Sequence, residues 1–258
     1  MGKTQAVRDG IDAVLAVALG ASCAACGDLL EQPTLGPVCP VCWRVIASLP
    51  APAFRVSSVI DRAQAIGPHE GPLRAIVHSL KYEGRRSLAK PLSSLMRERC
   101  TWALEAADVV VPVPLHFSRR RERGFNQALD LARGLRLPVC RAVRRTRPTI
   151  SQTGLTGDQR HANMRGAFRP SRLPWRARAV RDRIVIVVDD VSTTGATLDE
   201  CARVLSAMGA REVRAVTASS AALRAGRSAS DSSLPPAEMA NAIPVLEPTI
   251  RLLRQREP

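Results

Sequence analysis

Aromatic residues make up only 3% of this 258-residue chain: four Phe, three Trp and a single Tyr. A surface that holds nucleic-acid bases by stacking needs such rings, so few positions could supply one. Lysine is nearly absent, with Lys3, Lys81 and Lys90 standing against 35 arginines. Long apolar runs are missing too. The longest, near Ile11 to Ala21, is about half the ~20 residues of a membrane-spanning helix, which argues against an integral membrane protein. What remains is 45% hydrophobic residues in a length suited to one or two domains, enough for a substantial core.

The formal charge of +15 is a local property. Between Leu115 and Val188 there are 18 Arg and four acids, while the rest of the chain is close to neutral at +1. Arg is rigid, permanently charged and suited to bidentate contact with phosphate. A GC-rich genome would also favour Arg over Lys, but it would not explain the excess over acids.

Four of the seven cysteines form a compact array, Cys23-x2-Cys26 and, after twelve residues, Cys39-x2-Cys42. Each CxxC turn aims two thiolates at one centre, and two such turns make a four-sulfur site for structural Zn2+. A disulfide pair and an iron–sulfur cluster are the alternatives. Cys100, Cys140 and Cys201 are isolated on apolar segments and read as ordinary buried thiols. The stretch before Cys23 faintly resembles a secretory or lipoprotein signal. Asp9 and Asp12 break that pattern, so an amphipathic helix leading into the cysteine array, in the reducing cytoplasm, is the better reading.

Along the chain, residues 1–50 read as the helix and cysteine module, and the Pro-rich Leu49 to Ala53 as a hinge. A unit over 54–220 alternates strands with helices, the pattern of a parallel α/β sheet. Strands are expected at Val56 to Ile60, Asp108 to Val113, Pro138 to Val143, Met164 to Phe168, Arg183 to Asp189 and Glu212 to Ser219. Helices are expected at Pro72 to Leu80, Ser87 to Leu104, Asn126 to Leu135 and Ala196 to Met208. Residues 144–183 read as a long Arg-rich loop. Residues 221–258 are rich in Ser, Ala and Pro and read as a disordered tail.

The most informative stretch is Val187 to Leu198, VVDDVSTTGATL. A buried strand ends in two acids, a small hydroxyl-rich turn follows, and a helix opens. Backbone N–H groups and hydroxyls of Ser192 to Thr197 at a helix N-terminus suit a phosphate, and Gly195 lets the backbone approach it. Asp189 and Asp190 repel phosphate, so they must serve another group. Vicinal ribose hydroxyls with a nearby Mg2+ fit them. A phosphoaspartate site is a rival that needs further acids at other strand ends, where Asp108 is the one candidate.

This loop resembles the phosphoribosyl pyrophosphate (PRPP) loop of type I phosphoribosyltransferases. Three further motifs narrow the resemblance: HSLKYEG at 78–84, which holds the lone Tyr82; VPVPLHFSRRRERGFNQ at 111–127; and Gln152, Leu155, Arg160, Asn163, Gly166 and Phe168 at fixed spacing. Together with the cysteine array ending in CPVCW, they resemble the ComF family over about residues 12–220. The resemblance implies a type I phosphoribosyltransferase-like α/β fold, a parallel sheet with helices on both faces, behind a small zinc ribbon. It implies that Asp189 and Asp190 hold the ribose hydroxyls and that Ser192, Thr193, Thr194, Gly195, Ala196 and Thr197 hold the 5′-phosphate. Pro114, Arg123 and Gly124 would lie on the pyrophosphate side. Arg160 would stabilise the leaving pyrophosphate, with Gln152 and Asn163 ordering a flexible hood. Cys23, Cys26, Cys39 and Cys42 would bind zinc.

Two functions compete. One is a PRPP- and Mg2+-dependent transferase with an unidentified acceptor. The other is a non-catalytic protein that binds single-stranded nucleic acid or acts as an adaptor. The resemblance implies a role in natural transformation, with incoming single-stranded DNA and a competence helicase as partners. Within the basic segment, Phe117, Phe125 and Phe168 are the rings expected to stack on bases, and Arg119 to Arg123 the expected backbone contact.

Overall fold

In the computed structural model, residues 20–51, 53–54, 57–147 and 163–221 are described, together with residues 11, 12, 14 and 159. All lie in one compact unit. The cysteine module contributes helix α1 (Pro40–Ser48), which starts with Pro at its first turn and Cys39 as N-cap. Then come β1 (Arg62–Pro68), α2 (Gly71–Tyr82), α3 (Ala89–Arg99), α4 (Thr101–Leu104) and β2 (Val109–Pro112). α5 (Phe117–Arg123) and α6 (Gln127–Gly134) follow, then β3 (Val143–Arg145), β4 (Phe168–Pro170) and α7 (Pro174–Arg178). β5 (Ile184–Ser192), α8 (Ala196–Ala207) and β6 (Glu212–Ser220) complete it.

The main sheet runs β1-β6-β5-β2 with every pairing parallel. Its central strands are continuous apolar runs because both faces are covered. Strand side chains alternate between faces. Ile186, Val188, Val216 and Ala218 pack beneath α2, α3 and α6. Val185, Val187, Val213 and Ala215 point the other way, onto Leu198, Cys201 and Leu205 of α8 and onto Phe168. β3 and β4 form a separate antiparallel pair.

The expected helices and the β2, β5 and β6 strands are present within a few residues. The first strand lies at Arg62–Pro68, not Val56 to Ile60, and residues 57–60 turn instead. The expected Ser87 to Leu104 helix is broken at Cys100, whose ψ of 34° leaves the helical region. The strand near Met164 shifts to Phe168–Pro170, because Met164 belongs to a helical turn. Of the stretch from Pro138, Val139 makes one parallel bridge to Val110, and the strand proper is Val143–Arg145.

The cysteine module is not held by a flexible hinge alone. Cys23, Cys42 and Ile46 share one apolar cluster with Leu73, Ile76 and Met96. Arg99 donates to the carbonyls of Ile46 (2.9 Å), Ala47 (3.2 Å) and Leu49, tying α3 to the end of α1. Ser79 and Arg85 donate to the carbonyls of Ala24 (3.2 Å) and Ser22 (3.1 Å). Asp12, which breaks the signal-like pattern, accepts from the backbone N–H and hydroxyl of Thr34 (2.8 and 3.0 Å).

α3 and α6 pack closely at Ser93 and Gly134. A Cβ at Gly134 would fall 1.8 Å from Ser93 Oγ and 2.5 Å from its Cβ. Gly134→Ala is therefore expected to force α6 off α3 and cost about 2 kcal/mol, as overpacking in a rigid interior does. Urea denaturation would measure it, and the double variant with Ser93→Gly should recover most of the loss.

Candidate functional site

The acid pair ends β5 at the carboxyl edge of the sheet, where open α/β sheets bind ligands. Asp190 is buried and Asp189 half-buried. Asp189 Oδ1 accepts from the Asp190 backbone N–H at 2.9 Å. Burial, then the neighbouring Asp190 charge, raises the Asp189 carboxyl to about 7, although Lys81 pulls it down. The turn after the pair brings Gly195 to φ +78° as the N-cap residue of α8. Thr194 Oγ1 is buried with no hydrogen-bond partner among the described residues. Ser192 and Ala196 are buried, Thr193 is exposed and Thr197 half-buried. A buried, unsatisfied hydroxyl at a helix N-terminus, over a left-handed glycine, has the donors an anion needs.

Lys81 is the residue that sequence reasoning missed. It lies in the quoted HSLKYEG stretch, but nothing in the linear pattern assigned it a role. At the end of α2, its Nζ stands 3.3 Å from Asp190 Oδ1. Burial disfavours its ammonium, yet the two carboxylates leave its pKa raised. Tyr82 beside it carries two cations over its ring, Arg123 at 5.0 Å and Lys81 at 5.9 Å. Arg123, expected on the pyrophosphate side from its place after β2, is thus brought next to Lys81 and the acid pair. That α2 ends at the same sheet edge is what a signal for Lys81 would have required. Lys81→Met removes the charge that lowers Asp189, so the Asp189 titration is expected to move above 7. NMR of the carboxyl carbons would follow it.

The other expected residues divide. Gly124 closes α5 at φ +74°, and with Pro114 it lines a groove beside α6. Asn163 is half-buried, and its carbonyl accepts from Arg147 at 3.1 Å. Gly166 N–H donates to Glu200 of α8 at 2.5 Å, which anchors the base of the expected hood. Gln152 and Arg160 lie outside the described residues, as does the chain after 221. Asp108, the candidate for a phosphoaspartate rival, accepts from Ile184 N–H at 2.8 Å at the opposite, amino edge of the sheet. That rival therefore lacks its second acid. His116 caps α5 by accepting from Ser118 N–H at 3.3 Å.

At the cysteine module, the ligand atoms of Cys23, Cys26, Cys39 and Cys42 lie within 4.8 Å of one another, a group able to hold a metal ion. Burial raises Cys23, but backbone N–H groups, among them Ala25 (3.4 Å) and Cys39 (3.3 Å), outweigh it and bring the thiol down to about 6. N–H donation to a ligand sulfur is what stabilises thiolates around a metal. Of the other cysteines, Cys100 and Cys201 are fully buried and Cys140 half-buried.

Among the described residues no helix is long and apolar enough to cross a membrane. The phosphoribosyl transferase domain family matches residues 102–234. The DNA utilization protein YhgH of Escherichia coli is 37% identical over 175 residues, covering 64% of this chain and 71% of that protein. Competence protein F of Haemophilus influenzae is 32% identical over 168 residues, covering 60% of this chain and 70% of its own. Among solved structures, the glutamine PRPP amidotransferase from B. subtilis aligns at 18% identity and TM-score 0.34, over 55% of this chain and 30% of that one, a likeness too slight to bear on function. With the matched domain spanning half the chain and relatives of this identity along most of their length, the chain belongs to the ComF family of phosphoribosyltransferase-fold proteins.

Proposed function

We propose that the chain binds PRPP with Mg2+ and transfers or holds its phosphoribosyl group, with the acceptor open. The observation that carries this reading is the buried, unpartnered Thr194 hydroxyl at the N-terminus of α8, immediately after the acid pair. In this reading the loop 192–197 takes the 5′-phosphate on its N–H groups and hydroxyls. Asp189 and Asp190 orient the two ribose hydroxyls. Lys81 and Arg123, held on Tyr82, supply positive charge on the pyrophosphate side, together with Pro114 and Gly124. Arg160, Gln152 and Asn163 belong to the covering hood that would exclude water. Asp189 and Asp190, two neighbouring carboxylates, are oxygen donors of the kind that would hold Mg2+, which would supply counter-charge to the diphosphate. The four cysteines take Zn2+ as a structural ion in a zinc ribbon over 1–50, ahead of a phosphoribosyltransferase-like domain over 54–220. A thiolate set of this kind needs a reducing compartment, which supports a cytoplasmic location. The names of its relatives, DNA utilization and competence proteins, add a role in handling DNA during uptake, with single-stranded DNA and a helicase as partners.

Calorimetric titration with PRPP, with and without Mg2+, tests the reading. Binding that needs Mg2+ is expected. A flat titration of folded, metal-loaded protein overturns it. The Asp189 carboxyl near 7 also sets a pH dependence. Below that value the group holds a proton that competes with the ligand, so affinity should rise about tenfold from pH 6 to 8, most of it below 7, and level off above 8.

A further inference from the structure

The groove beside α6 carries strongly unbalanced charge. It has a volume of about 370 Å3 and is lined by residues of α5, α6, β3 and α7, with Pro112 and Pro114 at the end of β2. None of residues 189–197 lines it. Seven arginines do, against one acid, Asp130. That acid is already shared between Arg86 (2.8 Å) and Arg133 (3.4 Å). Arg120, Arg141 and Arg176 have no carboxylate within ion-pair distance among the described residues. The Arg141 guanidinium is disfavoured by burial first, then by the like charges of Arg120, Arg176 and Arg133. Cations held together without counter-charge raise the energy of the free protein, and an anion that neutralises them recovers it.

Two rings stand at this groove. Phe117, which lines it, is 67% exposed and carries Arg121 over its face at 5.5 Å. Phe125 lines it too, half-buried, with Arg86 over its face at 5.4 Å. In a chain with eight aromatics, leaving Phe117 in water beside an arginine cluster is unlike core packing and matches the way single strands are held: backbone along the cations, a base on the ring. The expected partner Phe168 is excluded, because it is 1% exposed within the core. A duplex fits poorly, since its grooves receive a protruding helix or ribbon, whereas here the protein is the concave surface.

We propose that this groove is a binding site for the phosphodiester backbone of a single-stranded nucleic acid, with Phe117 stacking a base. It locates the DNA-handling part of the proposed function and rests on that part; it is independent of PRPP.

Fluorescence anisotropy with labelled dT20 and U20 over a salt series tests it, the two oligomers separating DNA from RNA. Arg120→Gln/Arg141→Gln/Arg176→Gln is expected to weaken binding at least tenfold and to lower the slope of log K against log salt by about 2, since each phosphate contact on a single strand adds about 0.7. Phe117→Ala should weaken it about five- to tenfold with the slope unchanged. Arg181→Gln/Arg211→Gln, away from the groove, should leave it unchanged. The proposal is overturned if the groove variants bind like wild type, if the distant pair weakens binding equally, or if micromolar tripolyphosphate displaces the oligomer, which marks a small-anion site. Asp190→Asn should bind dT20 as wild type does. PRPP titration of Arg141→Gln/Arg176→Gln should be normal, so failure of the PRPP reading and failure of this one are told apart.

Discussion

Replacing Cys42 with Ser, or stripping the metal with a chelator, is expected to lower the melting temperature by roughly 10–15 °C. Structural zinc in isolated fingers supplies the whole folding free energy. Here the module also shares a core with α2 and α3, through Cys23, Cys42 and Ile46 against Leu73, Ile76 and Met96. The loss should therefore be partial, about 4 kcal/mol, which in a domain of this size corresponds to the stated shift. It should not stay local. Arg99 donates to three carbonyls at the end of α1, and α3 in turn packs on α6, so loosening α1 frees a buried guanidinium whose charge is already disfavoured by burial. Differential scanning fluorimetry with metal analysis is the measurement. Metal-free protein that melts with the wild type would sink the idea, and Cys140→Ser, outside the cluster, should shift little.

Asp190→Asn is expected to weaken Mg2+-dependent PRPP binding at least a hundredfold, close to 3 kcal/mol. Two losses combine. One ligand oxygen loses its charge, and Lys81, 3.3 Å from Asp190 Oδ1, loses its nearest partner. The sign of a second effect is sharper. Asp190 is among the groups that raise Asp189, so removing its charge should bring Asp189 down from about 7. Whatever binding remains should then lose its dependence on pH between 6 and 8, and calorimetry of the variant at three pH values would reveal it. Stability follows the same group. An unfolded Asp titrates near 3.8, so between about pH 4 and 7 the native carboxyl keeps a proton that the unfolded chain has lost. Wild-type stability therefore falls through that window as pH rises, by an amount that Asp190→Asn should reduce.

How far the sequence could be read depends on the range of the interactions. β5 and the loop after it were legible because their signal is contiguous: an apolar run, two acids, small hydroxyl residues and Gly195 within twelve positions. The cysteine array was legible for the same reason. The first strand was misplaced because Val56 to Ile60 is the more apolar stretch, whereas Arg62–Pro68 is a strand through its pairing with β6, 150 residues away. The break at Cys100 leaves no mark in composition. Gln152 and Arg160 carried a strong spacing signal but lie outside the described residues, so their roles rest on the family resemblance.

Sequence by itself determined the class of the fold, the strand, acid pair, turn and helix of residues 187–198, and the concentration of positive charge between Leu115 and Val188. Each is a property of neighbouring residues or of their sum. Only the tertiary structure decided where that charge goes. Arg123 turns to Tyr82 and the acid pair, while Arg120 and Arg133 join Arg141 and Arg176 around a separate groove. Lys81 likewise acquires its place only when α2 ends beside β5, 109 residues from Asp190. The physical reason is that Coulomb energies between side chains fall with distance in space and rise as water is excluded. Sequence sets the number of charges, but only the folded chain sets their spacing and their burial.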